Sequence, residues 1–314
     1  MKYIIYYRID CVHRYNFENI ANGLLLSRLA VILLISSYAY FLVFHGSRDC
    51  RTQTAALNLR NLLIAREQPK NILTQHNYLG KNPEKIELKS TTFAASFSTP
   101  PIEIAALELT DLPLSGSLIN FAQQAKTKGF KRIKVIPLFL APGVHVQTDI
   151  PSEIATAAKQ IDDRVTIELS PYLGKYSEIV TLLTQQFEEL DERPRVAERR
   201  KGTLELRAKT RILIAHGSRL LAVAEYYQEL GNQLDADVAY WSTKPRFSEQ
   251  IRLKIAAGSQ KIALLPYFLF PGRITEAIAK EIAELQQEYP QVDLRLGKPL
   301  GELPEIAELI AQSA

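Results

Sequence analysis

His45 follows the apolar run Tyr38 to Phe44 and opens the turn HGSR, and His145 lies in PLFLAPGVHVQTDIP, just after a second apolar run ending at Leu138. Glu108, in AALELTDLP, stands near the end of a third such run, Ile104 to Leu109. In an open parallel sheet, ligands bind beyond the carboxyl ends of the strands, so the three side chains are predicted to face one crevice. Two imidazoles and a carboxylate make a partial shell for a divalent first-row metal, with positions left open for another ligand. An imidazole titrates near neutrality, at about 6.5 when unperturbed, so it can also accept a proton in the same chemistry. The HGSR turn serves equally as an anion site, with Ser47 capping the next helix and backbone N–H groups facing a carboxylate or phosphate. Spacing leaves both readings open, and they are compatible.

The elements that must hold these residues are written twice. FLVFHGSR (41–48) pairs with ILIAHGSR (212–219), KRIKVIPLFLAPG (131–143) with QKIALLPYFLFPG (260–272), and SPYLGKYSEIVTLL (170–183) with GKPLGELPEIAELI (297–310). Each copy reads as four alternations of strand and helix. The strands are short, continuous aliphatic runs, as expected of strands buried on both faces of a parallel sheet. They are placed at Tyr38–Phe44, Ile104–Leu109, Arg132–Leu138 and Val165–Leu169, then at Arg211–Ala215, Val238–Trp241, Lys261–Pro266 and Val292–Leu296. Helices such as 116–127 and 152–159 supply right-handed crossovers. The predicted fold class is therefore α/β: two tandem doubly wound domains, each a four-stranded parallel sheet flanked by helices.

The expected division is an N-terminal extension (1–36), a first half (37–187) with an insertion at about 68–101, a charged linker (188–209) that reads as a solvated connection or helix tail, and a second half (210–314). Residues 1–36 have no counterpart in the second copy and read as an appended segment or a misplaced translation start. The insertion leaves from the amino-terminal edge of the sheet, opposite the histidines, so it is expected to decorate the surface and not to act as a lid.

Composition narrows the function. With 314 residues, 46% hydrophobic and 23% charged, the chain is globular material for two domains. A net charge of +4, with no face alternating basic and aromatic residues, argues against nucleic acid. Cys11 and Cys50 belong to no CxxC pair, which fits a reducing, cytoplasmic setting. The apolar run Leu24 to Phe44 is interrupted by Arg28, and its last residues match a strand of the second copy, so a membrane span is not expected. No small-x-small cleavage site follows it before the strand begins. His13 and His76 are expected to be exposed and unrelated to a metal.

HGSRD after a hydrophobic strand, together with PLFLAPGVHVQTDIP, resembles the sirohydrochlorin chelatases, class II chelatases in a long form with two fused halves. The likeness runs from about residue 38 to 314. It implies insertion of Fe²⁺ or Co²⁺ into the tetrapyrrole sirohydrochlorin without ATP, with His45 and His145 as the motif histidines and Glu108 as the third metal group. Those residues would hold the incoming ion and take up the pyrrole protons, which neutral imidazoles can do. The ion is then a substrate, and no tightly bound cofactor is expected. Ser47, Arg48, His216 and Arg219 are the substrate-binding candidates, the arginines making charge-assisted contacts to the tetrapyrrole carboxylates. A monomer is expected.

The second copy departs from the pattern. FPGRITEAI (270–278) has Arg273 and Ile274 where the first copy has Val144 and His145, and Tyr240 is expected where Glu108 stands. His216 remains as a proton acceptor or a structural remnant. The reading is thus of one chemical half and one half supplying shape and anion contacts. Three alternatives stay open: Ni²⁺ insertion at the same site, which ligand type alone does not discriminate; a non-catalytic tetrapyrrole or metal carrier; and an anion-binding module.

Overall fold

The computed structural model of the chain describes residues 38–67, 99–192 and 210–313. The readings placed on residues 1–36, on the insertion up to residue 98 and on the connection 193–209 lie outside them, as do Cys11, His13 and His76. Strands β1 (Tyr38–Phe44), β2 (Ile102–Ala106), β3 (Arg132–Pro137) and β4 (Thr166–Leu169) form a parallel sheet in the order β2-β1-β3-β4. Strands β5 (Thr210–Ala215), β6 (Asp237–Tyr240), β7 (Lys261–Pro266) and β8 (Asp293–Leu296) repeat it as β6-β5-β7-β8. Helices α1 (Cys50–Glu67), α2 (Leu114–Thr127), α3 (Ile150–Ala158) and α4 (Glu178–Glu192) follow the strands of the first sheet. Helices α5 (Leu221–Gln233), α6 (Phe247–Ala256), α7 (Arg273–Glu288) and α8 (Pro304–Ser313) follow those of the second. No helix among the described residues is long and apolar enough to cross a membrane.

Alternate residues of each central strand enter different cores, because successive side chains point to opposite faces. Phe41 and Val43 of β1 pack outward with Leu118 and Phe121 of α2, and Ile212 and Ile214 of β5 pack outward with Phe247 and Ile251 of α6. Tyr40, Leu42 and Phe44 turn inward and share one cluster with Leu213, Ala215 and Leu265 of the other half. The halves are therefore joined by a common apolar layer as well as by the chain.

Helix α4 shows the joining most clearly. Its Phe187 and Leu190 belong to the shared layer, and its carboxyl end meets side chains from three strands of the second sheet. Arg211 of β5 pairs with Asp191 at 2.8 Å, Arg295 of β8 donates to Leu190 O at 2.5 Å, and Lys261 of β7 donates to Asp191 O. Three cations thus gather at a helix carboxyl end, where the helix dipole is negative. Residues 188–192, read as the start of a solvated connection or a helix tail, are a helix tail, and Leu190 and Asp191 in it are buried. Nearer the site, Tyr226 of α5 donates to Gly174 O at 2.9 Å, and Tyr267 donates to Leu140 O at 3.0 Å. Burial pushes both phenol pKa values up, so these links are made by neutral hydroxyls.

Candidate metal centre

The strand order of the first sheet reverses between β1 and β3, and His45 and His145 follow those two strands. Such a switch point leaves a crevice at the carboxyl edge because the connections on its two sides diverge. The ladder between β1 and β2 continues past the strand ends: Leu107 N–H donates to Phe44 O at 2.8 Å and Glu108 N–H to His45 O at 2.9 Å. Strand β2 starts and ends earlier than the sequence suggested, so Glu108 stands two residues beyond it, on the loop. Gly46 has φ +98°, and a Cβ there would fall 2.1 Å from Glu108 O. Only glycine lets the turn close against the backbone that carries the carboxylate.

The structure brings the three sequence candidates together. His45, Glu108 and His145 each offer a ligand atom, all within 4.8 Å of one another. His45 Nε2 lies 3.9 Å from Glu108 Oε2, His145 Nδ1 lies 3.9 Å from Glu108 Oε1, and the two imidazoles cross edge to face with centroids 4.7 Å apart. His45 Nδ1 sits 3.1 Å from Gly46 O. A carbonyl only accepts, so Nδ1 carries the proton and the Nε2 lone pair is free on the side of Glu108. The side chains of His45, Glu108 and His145 are 53%, 49% and 28% exposed, so an ion can reach the cluster and leave it.

His145 differs from its expected setting. It does not stand apart from the helix expected over 152–159 but opens a wide helical turn, His145–Asp149, that runs directly into α3. Ile150 N–H donates to His145 O, five residues back, in the manner of a π-turn. Pro151 next along has no N–H to restore the tighter pattern. That turn places Asp149 Oδ2 2.8 Å from His145 Nδ1. Sequence reasoning missed Asp149, because the expected helix began only at residue 152 and the i, i+4 spacing from His145 therefore carried no weight.

Two further expectations are corrected. Ser47 does not cap α1: its Oγ accepts from Asp49 N–H at 3.0 Å, and it is Asp49 Oδ1 that accepts from Arg51 N–H, the second residue of the helix. Asp49 also accepts from the Arg51 side chain, which lowers its carboxyl pKa to about 2. Arg51 reaches on to Glu276 of the second half at 2.7 Å. Second, the position matching Glu108 is Ser242, not Tyr240. Phe44 pairs with Ala106 and Ala215 with Tyr240 in register, and Ser242 N–H donates to His216 O at 2.9 Å as Glu108 N–H does to His45 O.

In the second half His216 therefore meets a hydroxyl, with Ser242 Oγ 3.4 Å from its Nδ1, and Ile274 takes the place of His145. Arg48, Arg219 and Arg273 are exposed and make no side-chain hydrogen bond or ion pair with the described residues. A cavity of about 260 Å³ opens on the second-half side of the interface, lined in part by Arg51, Gly272, Thr275, Glu276 and Lys298, and none of the three ligand candidates borders it.

Two fused doubly wound halves, with one cluster among the described residues that could hold a metal, at the switch point of the first, define an α/β protein of the class II chelatase type. The chain belongs to the CbiX family, whose model matches residues 81–190 and 210–314. It is similar to the sirohydrochlorin cobaltochelatase of Priestia megaterium, 22% identical over 197 residues, covering 60% of this chain and 61% of that protein. It is also similar to the sirohydrochlorin ferrochelatase of the same organism, 22% identical over 204 residues, covering 62% of this chain and 71% of the relative. The chain thus spans about three fifths of the length of the first relative and somewhat more of the second. Among solved structures, SirB from Bacillus subtilis with Fe³⁺ superposes with a TM-score of 0.62 at 20% identity, over 88% of this chain and 94% of that one, a likeness of fold.

Proposed function

We propose that this protein is a sirohydrochlorin chelatase, inserting Fe²⁺ or Co²⁺ into the tetrapyrrole with its first half. The observation that carries the reading is the His45, Glu108 and His145 cluster, open to solvent at the switch point of the first sheet. The names of the two Priestia relatives supply the substrate and the two metals. In the reaction the ion passes to the macrocycle nitrogens as two N–H protons leave them. An imidazole freed by the departing metal is a ready acceptor for such a proton. Half-exposed ligands suit an ion that must be surrendered, unlike the closed shells of structural sites.

The remaining roles follow from place and charge. Arg48 and Arg219, free of partners among the described residues, are assigned to the substrate carboxylates, with Ser47 holding the turn that presents Arg48. His216 is assigned to the opposite wall as a structural remnant, its Nδ1 3.1 Å from Gly217 O. The chain divides functionally after α4, with chemistry before that point and shape after it. The test is anaerobic absorbance with sirohydrochlorin and Fe²⁺, Co²⁺ or Ni²⁺ in turn, at substoichiometric protein. Many turnovers with Fe²⁺ or Co²⁺ are expected, whereas a single burst matched to the protein would mark a carrier.

A further inference from the structure

Asp149 lies in neither repeated histidine turn, and its carboxylate is the closest polar partner of His145. Its Oδ2 stands 2.8 Å from Nδ1, within hydrogen-bond range, whereas Glu108 Oε1 at 3.9 Å from the same nitrogen is outside it. The geometry is local. The wide turn that begins at His145 brings a side chain four residues on over the imidazole, and Asp149 is the last residue of that turn before α3. In the second half both positions change together: Ile274 and Ile278 stand where the matched PG motifs put His145 and Asp149.

We propose that Asp149 is the positioning residue of the metal centre, accepting the Nδ1–H of His145 and so leaving Nε2 as the lone pair offered to the metal. This rests on the reading of His145 as a ligand. A carboxylate only accepts, so the proton sits on Nδ1, as the carbonyl of Gly46 dictates for His45. Nε2 is then the unprotonated nitrogen of both imidazoles. Glu108, relieved of a hydrogen bond to His145, keeps its oxygens for the ion. A carboxylate behind a ligating histidine also fixes the ring plane.

The experiment reads the tautomer before it reads the metal. In uniformly ¹⁵N-labelled full-length protein, a long-range ¹H–¹⁵N correlation of the His145 ring, assigned by its loss in His145→Gln, is expected to show Nδ1 protonated. Asp149→Ala should shift the ring toward protonation at Nε2 and weaken Co²⁺ binding about 10-fold to 100-fold in an absorption titration. Asp149→Asn, whose amide oxygen accepts the same bond, should restore most of both. A parent ring protonated at Nε2 overturns the proposal, as does an Asp149→Ala protein of unchanged fold that keeps the parental tautomer and Co²⁺ affinity. Unchanged Co²⁺ affinity in His145→Gln would instead sink the ligand assignment beneath it, independently of the tautomer.

Discussion

After β1 the chain runs His45-Gly46-Ser47, and after β5 it runs His216-Gly217-Ser218, with nearly the same backbone: φ is +98° at Gly46 and +91° at Gly217. What each histidine meets is different. His45 faces Glu108 and His145, while His216 faces Ser242 and a position filled by Ile274. The strand, the glycine turn and the ladder that continues past it are common scaffold, and two positions, Glu108 against Ser242 and His145 against Ile274, separate the candidate metal centre from its counterpart. Both halves also remain bound into one apolar layer. The second half thus contributes to the apolar layer on which the first half packs.

That contrast can be broken most severely at Glu108. Glu108→Gln keeps the shape and removes the charge, and insertion is expected to fall by about 100-fold or more, since even partners behind metal ligands are worth about 10-fold to 100-fold. Ser242→Ala, its counterpart, should leave the rate unchanged in the same assay. The common scaffold is addressed by Asp191→Ala. It leaves Arg211, whose side chain is 11% exposed, without its carboxylate and with Leu234 O as its remaining hydrogen-bond partner, and is expected to cost about 3 kcal/mol in denaturant unfolding, with both halves melting together. A separate, earlier transition of the second half alone would show that the halves are not one cooperative unit.

The two glycines sharpen the comparison further. Gly46→Ala would drive a Cβ against the Glu108 carbonyl, so stability and metal binding should both fall, the former by more than about 1 kcal/mol. Gly217→Ala meets the Thr243 hydroxyl at 2.4 Å, a side chain able to rotate away, so a smaller stability loss with intact Co²⁺ binding is expected. The smallest effects belong to the exposed arginines. Arg48→Ala and Arg219→Ala should each raise the tetrapyrrole KM several-fold with kcat little changed, because exposed charge contacts are weak singly.

Much of the centre was legible in the sequence because its signals are local. A continuous apolar run followed by His-Gly-Ser-Arg announces a buried parallel strand and its carboxyl-end turn, and parallel topology then brings the loops of neighbouring strands into one crevice. Pairing Glu108 with Tyr240 failed because AALELTD and VAYWSTK share no motif. Register there is set by the ladder to β1 and β5, not by the side chains. The burial of the end of helix α4 was not legible for a related reason. Its amphipathic face shows that it packs, but only the tertiary fold shows that it packs on strands of the other half, where Arg211, Lys261 and Arg295 wait for its carboxyl end. Asp149 depended on a wide turn that propensity does not report.

The most direct measurement sets His145→Ala beside His216→Ala in anaerobic Co²⁺ insertion into sirohydrochlorin, with circular dichroism to confirm that both fold. If the first half alone holds the metal, His145→Ala should lose about 100-fold or more, whereas His216→Ala should stay within about 10-fold of the parent, below the usual effect of a metal-site partner. Equal losses in the two proteins would contradict the assignment of the chemistry to one half.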